Sequence, residues 1–150
     1  MRNHFGSWCG YVGLPAGHPA LDAELDGLSV HGGITYGPAP CDESAEEGHG
    51  ICHVPFPGRP HDVSWIGFDC GHAWDLSPVD AAREASGDQL WQDINRNSTY
   101  RPLAYVRGEC AELAAQLQSI ALQGVANEIR AEHGLPPLDP PNPVTGFQRR

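Results

Sequence analysis

The sequence predicts an α+β fold, in which a small, mostly antiparallel sheet carries one long amphipathic helix packed on it. Two segments support this prediction. Residues 101–123 show apolar side chains at steps of three and four, which is the spacing of a single helical stripe. Residues 63–70 are almost continuously apolar, which is typical of a central strand covered on both faces. The stripe consists of Leu103, Val106, Cys110, Leu113, Leu117 and Ile120.

Two shorter strands are predicted ahead of the central one. Residues 9–14 form the first strand, and Pro15 ends it. Residues 28–36 form the second, because apolar and polar side chains alternate along most of this segment. In its middle, Gly32 and Gly33 indicate a bulge or a point where another group approaches the backbone.

Residues 37–62 form a long irregular insertion rich in glycine, proline, acids and histidine. Loops of this length inside a domain are usually functional or tied down. Cys41, Cys52 and His53 carry metal-ligating side chains, so one interpretation is a zinc tether completed by a fourth ligand, although their spacing matches no standard zinc pattern. The other interpretation is a plain loop with a small apolar anchor.

Helices follow the central strand. Ser77 is the N-cap candidate of a first helix, with Pro78 at its first helical position. The long helix over 101–123 is predicted to end at Gly124, and a second short helix is predicted through 125–133.

The chain length fits one domain, which we expect over residues 1–134. A proline-rich extended tail over 135–150 follows it.

Composition and charge exclude several classes of function. The formal net charge of -10 repels phosphate backbones, so nucleic-acid binding is not expected. All nine basic residues are arginines, which removes Schiff-base chemistry. No segment approaches the roughly 20 apolar residues of a membrane span, and the N-terminus has no apolar signal-like stretch, so a cytoplasmic protein with no membrane partner is expected.

His31, Asp69 and His72 are the candidate catalytic residues, because they lie at or just beyond the ends of two predicted strands. An imidazole can act as acid or base near neutral pH and a carboxylate can orient it, which suits a hydrolase of the phosphodiesterase type. The same groups could instead hold a catalytic zinc ion. Strand alternation points Cys70 away from Asp69 and into the core. The purely structural alternative is that Asp69 caps the following turn and His72 packs under Trp74.

A protein that binds a small nucleotide-like ligand without catalysis is the main alternative to an enzyme. The candidate ligand-binding residues offer exposed backbone amides, aromatic faces, an imidazole or a guanidinium group. They are His18, Gly32, Gly33, Tyr36, Trp74 and Arg107, with Arg101 as an alternative arginine. A third interpretation is a structural or protein-interaction module, in which the stripe over 103–120 forms the seam of a homo-oligomer.

Five short motifs resemble those of a family of small phage proteins that also occurs in bacterial chromosomes carrying prophages. The motifs are 10–15 (GYVGLP), 17–19 (GHP), 30–36 (VHGGITY), 67–72 (GFDCGH) and 105–110 (YVRGEC). They stand in the family's order, and the similarity extends from about residue 9 to about residue 118. The resemblance implies a phage or prophage origin, a location in the host cytosol and an accessory role such as countering a host defence. It implies no particular chemistry.

Overall fold

The computed structural model describes residues 1–40, 62–87 and 89–139 of the chain. Within these residues it contains three strands, one short 3₁₀-helix and three α-helices, which confirms the α+β class. The strands are β1 (Cys9–Pro15), β2 (Tyr36–Pro40) and β3 (Val63–Asp69). The helices are the 3₁₀-helix (Pro19–Leu21), α1 (Pro78–Ala85), α2 (Gln89–Asn95) and α3 (Leu103–Glu132).

β3 is the central strand of the sheet, as its continuous apolar run predicts. It pairs antiparallel with β1 on one side and with β2 on the other, so the strand order is β1-β3-β2. Ile66, Phe68 and Cys70 are buried, because residues two apart along an extended chain share one face. The expected position of Cys70 in the core is confirmed. Burial raises the pKa of its thiol to about 12, so Cys70 is protonated at neutral pH and is no nucleophile.

β2 begins where the sequence predicts its end. Residues 28–35 form no strand and β2 starts at Tyr36, so the predicted position of the second strand is wrong. The reason lies in Gly32 and Gly33, whose φ angles are +69° and +88°. These left-handed conformations turn the chain, and the Gly33 amide donates to the Val30 carbonyl at 3.0 Å.

α1 starts with the predicted cap. Ser77 Oγ accepts a hydrogen bond from the Asp80 amide at 3.0 Å, and Pro78 occupies the first helical position. The Asp80 carboxylate accepts in return from Ser77 Oγ at 2.6 Å and complements the positive end of the helix dipole.

α3 is the long amphipathic helix, and its stripe packs on the sheet. Val106, Leu113 and Leu117 are buried and join the core side chains of β3. These stripe residues are therefore covered by the chain's own sheet, whereas Leu103 at the start of the stripe is exposed. The oligomer seam stays a prediction. Cys110 packs against the same core as a small hydrophobic side chain.

α3 is longer than its stripe predicts. It continues through Gly124 to Glu132, so the predicted helix end at Gly124 and the separate helix over 125–133 are both wrong. One glycine inside a helix costs only about 1 kcal/mol. At this position a Cβ would lie 3.5 Å from the Pro19 ring, which is an ordinary van der Waals contact with the 3₁₀-helix. None of the described helices combines the length and the apolar character needed to cross a membrane.

Residues 135–139, the described part of the proline-rich tail, lie against the last turns of α3. The Leu138 amide donates to Asn127 Oδ1 at 2.7 Å, and Arg130 Nε donates to the Pro136 carbonyl at 2.6 Å. The start of the tail is therefore fastened to the helix by side chain–backbone hydrogen bonds.

Candidate functional site

Asp75 is the centre of a buried polar cluster that follows β3 in the chain. Its side chain is fully buried, and its Oδ2 accepts hydrogen bonds from His31 Nε2 at 2.8 Å and from His72 Nδ1 at 3.2 Å. The His72 amide donates to the same oxygen at 3.2 Å, and Arg101 Nε donates to Oδ1 at 3.0 Å. We call these four residues the Asp75 cluster.

Backbone hydrogen bonds bring the members of the Asp75 cluster together. The Asp75 amide donates to the His72 carbonyl at 2.9 Å, which closes a tight turn after β3. The Leu76 amide then donates to the Thr99 carbonyl at 3.1 Å. Because Arg101 follows Thr99 by two residues, this contact delivers its guanidinium group to the Asp75 carboxylate.

His31 is held between Asp75 and α3. Its Nδ1 lies 3.1 Å from the Tyr105 hydroxyl, and its amide donates to Glu109 Oε2 at 2.9 Å. Burial, the charge of Glu109 and a hydrogen bond to that carboxylate raise the pKa of Tyr105 to about 12. The Tyr105 hydroxyl thus keeps its proton at neutral pH. Because a carboxylate only accepts, His31 Nε2 carries the proton that is donated to Asp75, and the Tyr105 hydroxyl is the partner of Nδ1.

An ion pair lies within this network, because Arg101 Nε is 3.0 Å from Asp75 Oδ1. Burial alone would raise the pKa of the Asp75 carboxyl, but hydrogen bonds from His31 and Arg101 outweigh it and hold that pKa below its ordinary value of 3.8. Asp75 is therefore ionised at neutral pH and orients both imidazoles.

His72 is the more accessible of the two imidazoles, with a side chain that is 19% exposed against 5% for His31. Its ring stacks on Trp74 at 5.0 Å between centroids and 6° between planes. Its Nδ1 is bound to Asp75, and its Nε2 makes no hydrogen bond within the described part of the chain. His72 also lines a cavity of about 370 Å³. The geometry is that of an oriented acid–base imidazole.

Gly32 fixes the position of the His72 ring, because a Cβ built on Gly32 would overlap that ring. We expect Gly32→Ala to lower the free energy of unfolding by about 1–2 kcal/mol through its left-handed backbone. Overpacking against His72 adds about 1–3 kcal/mol. Urea unfolding measures the total, and the imidazole ¹⁵N shifts of His72 report the displaced ring.

Gly33→Ala is the matched control for this substitution. Gly33 has the same left-handed backbone, with φ +88°, but no atom lies within 4 Å of a Cβ built there. It should therefore show the backbone cost alone and leave the His72 shifts unchanged. Equal effects of the two alanines on the His72 shifts would contradict the close contact.

The structure brings His31 and His72 together, as the sequence predicts, with Gly32 and Trp74 beside them. It does not bring Asp69 to them, and the carboxylate between the imidazoles is Asp75. Asp69 Oδ1 instead accepts from the Gly71 amide at 2.8 Å. This cap and the stacking of His72 on Trp74 are the two contacts of the structural alternative, and both are present beside the cluster.

Four predicted ligand-binding residues lie outside the Asp75 cluster. His18 Nδ1 accepts from the Ala20 amide at 3.1 Å and caps the 3₁₀-helix. Tyr36 makes an edge-to-face contact with Tyr11 across the sheet, at 5.4 Å between ring centroids. Gly33 has open space beside it. Arg107 is exposed on α3, and the arginine that joins the cluster is Arg101.

Metal binding has two candidate locations. Cys41, Cys52 and His53 lie outside the described residues. His31, His72 and Asp75 place one nitrogen or oxygen each within 4.8 Å of one another, which is close enough for a shared metal ion. However, Asp75 already accepts four N–H groups, and a metal would require both imidazoles to give up the protons that they now donate to it. The hydrogen-bonded form accounts for the arrangement without a metal.

Asp75 and the two partners of His31 on α3, Tyr105 and Glu109, are site residues that the sequence does not single out. Their signal is spacing. Tyr105 and Glu109 stand four residues apart, so the start of α3 presents them on one side, and Arg101 lies just before the helix. Asp75 follows His72 by three residues, which is the separation of a turn. No protein-family model, curated protein or solved structure matches the chain.

Proposed function

We propose that the protein hydrolyses a phosphoester bond in a small nucleotide-like molecule, with His72 as the acid–base group. The observation that carries this proposal is the contact between Asp75 and His72 Nδ1, which leaves Nε2 as the basic nitrogen of a histidine that lines a cavity. An ionised carboxylate in this position selects the imidazole tautomer and stabilises the imidazolium that forms when Nε2 accepts a proton.

The reaction transfers one proton through His72. His72 Nε2 accepts a proton from water while the water oxygen forms a bond to phosphorus. The bond from phosphorus to the leaving oxygen breaks on the opposite side of the phosphorus atom, so that oxygen takes up a proton from solvent and the imidazolium releases its proton to solvent. Asp75 remains ionised throughout, since its low pKa keeps it a hydrogen-bond acceptor.

Arg101 is the group that would meet the phosphate. Only its Nε donates to Asp75, and its two terminal nitrogens make no hydrogen bond to described residues. The guanidinium also lies over the Tyr105 ring at 5.0 Å, which holds its plane. A fixed guanidinium with two free NH₂ groups suits bidentate contact with phosphate oxygens.

His31 serves as a positioning residue in this scheme. Its side chain is nearly buried, and both of its ring nitrogens are occupied, by Asp75 and by Tyr105. It therefore acts on the substrate through Asp75, whose carboxylate it orients and helps to keep ionised.

Sequestration without hydrolysis is the second candidate, and the exposed face of Trp74 favours it. Trp74 is 52% exposed and already stacked on His72, so the two rings form a platform on which a base could stack. For either activity, the resemblance to phage proteins supports an accessory role in the host cytosol, such as removing a nucleotide signal of a host defence.

A turnover assay tests the proposal. The protein is incubated with a panel of cyclic and linear nucleotides, and substrate and product are followed by chromatography. Product that exceeds the protein concentration supports hydrolysis, whereas ligand that returns intact after heat denaturation supports sequestration. Unchanged turnover in the presence of EDTA supports the metal-free scheme, and loss of turnover restored by Zn²⁺ would replace it with a metal-assisted one.

A further inference from the structure

The cavity beside His72 extends away from the Asp75 cluster towards the N-terminal loop and the first two helices. Phe5 and Ser7 line it from the loop, Asp80 and Arg83 from α1, and Trp91 from α2. Its volume of about 370 Å³ lies at the lower end of the range for small-molecule sites, which suits one nucleoside better than a dinucleotide.

Ser7 is the feature of this cavity that the fold does not explain. The residue is only 3% exposed, and its hydroxyl has no hydrogen-bond partner in the described part of the chain. Buried hydroxyls are nearly always paired, because an unpaired one loses its bonds to water without replacement. Because Ser7 lines the cavity, we expect a bound ligand to supply the missing partner of this hydroxyl, which is shielded from solvent in the free protein.

Among the other lining groups, Asp80 and Arg83 are paired in charge, two are aromatic, and Ser77, Asn95 and Ser98 add uncharged polar groups. Arg83 lies 4.6 Å over the Trp91 ring and 3.3 Å from Asp80 Oδ1, so neither charge stands alone. Phe5 adds a second aromatic side chain. Such a lining favours an uncharged ring with hydroxyl groups, since a hydroxyl can donate to the Asp80 carboxylate and accept from Ser7. It offers little to a chain of phosphates.

We infer that this cavity binds the nucleoside part of the substrate, with the sugar hydroxyls between Ser7 and Asp80 and the base against the aromatic side chains. This inference rests on the proposed function, in which the phosphate lies at His72 and Arg101. It specifies the substrate as a nucleoside carrying few phosphates.

Calorimetric titration of the full chain with adenosine, guanosine, cytidine, adenosine monophosphate and adenosine triphosphate tests the inference. We expect a nucleoside and its monophosphate to bind, and the triphosphate to bind at least about tenfold more weakly against a chain of formal charge -10. Equal or tighter binding of the triphosphate, or no binding of any nucleoside, would overturn it.

Ser7→Ala separates a ligand-binding hydroxyl from an incidental one. Loss of one hydrogen bond predicts about 3–10-fold weaker nucleoside binding. The melting temperature of the free protein should rise, since an unpaired buried hydroxyl is removed. Ser29→Ala is the matched control, because Ser29 is exposed and outside the cavity. A melting temperature that rises with unchanged nucleoside affinity would show an incidental hydroxyl and overturn the inference.

Trp91→Leu provides a second variant that does not depend on Ser7, and we expect it to weaken nucleoside binding at least fivefold. The two proposals fail separately. If Ser7→Ala weakens nucleoside binding but no nucleotide is turned over, the cavity is a nucleoside site and the proposed hydrolase activity is wrong. If the protein turns over a nucleotide and neither variant changes the KM, the hydrolase proposal holds and the cavity does not bind the nucleoside.

Discussion

Replacing His72 by glutamine is expected to lower kcat about 10²–10⁴-fold, which is the usual contribution of a positioned acid–base group. Glutamine retains a polar side chain of similar reach that can still donate to Asp75, but it cannot carry a proton. The fold should persist, because Asp75 keeps its contacts with His31 and Arg101. The measurement is steady-state turnover of whichever nucleotide the panel identifies, with thermal unfolding recorded on the same samples.

The pH profile distinguishes chemistry from mere support of the fold. Wild-type turnover should fall on the acid side as the imidazole becomes protonated, and the residual activity of His72→Gln should lack that limb. His133→Gln is the matched control, since His133 is exposed at the end of α3 and outside both the cluster and the cavity. If His72→Gln retained wild-type kcat with its acid limb intact, the catalytic assignment of His72 would be wrong.

The parts of the fold that the sequence predicts well are those governed by one dominant periodicity. β3 is apolar throughout, and α3 carries an uninterrupted stripe, so burial determines both. For the second strand, the sequence offers only the alternation of apolar and polar side chains over residues 28–36. Its backbone is determined by the φ angles of Gly32 and Gly33, and alternation contains no information about those angles.

The sequence predicts the position of the candidate site to within about one turn of the chain after β3. His31 and His72 meet, but the choice of Asp69 as their carboxylate assumed that the strand end itself forms the site. The chain makes one further turn after β3, which buries Asp75 and leaves Asp69 to cap Gly71. The contribution of α3 depends on tertiary packing, because Arg101 and Tyr105 reach the cluster only once the helix lies on the sheet.

Replacing Asp75 by alanine is expected to be the most destabilising substitution in the cluster. It removes the acceptor of four N–H groups and leaves the buried His31 and the partly buried Arg101 without their anion. Breaking a buried ion pair costs about 3–5 kcal/mol. We expect the lower end of this range, because Arg101 is 25% exposed and can turn towards solvent. Urea unfolding at neutral pH measures the loss.

The same contacts give the wild-type protein an acid-sensitive component of stability. Because the folded-state pKa of Asp75 lies below 3.8, the unfolded chain takes up this proton first as pH falls. The contribution of Asp75 is therefore complete above about pH 4 and is lost as pH falls from 3.8 through its lower folded-state pKa. Asp75→Ala should lack this component, so its stability should approach that of the wild type at low pH.

Asp69→Ala is the matched control, since it removes a carboxylate six residues earlier that makes one turn-capping hydrogen bond. Loss of that bond predicts a decrease of only about 1 kcal/mol in the free energy of unfolding. The contrast between the two alanines tests which carboxylate organises the site. Equal losses, or a larger loss for Asp69→Ala, would mean that Asp75 does not hold the imidazoles and Arg101 together. Two results together follow only if the ionised Asp75 carboxylate is the common acceptor of the cluster. Asp75→Ala must lose more free energy of unfolding than Asp69→Ala at neutral pH, and its stability must approach that of the wild type at low pH.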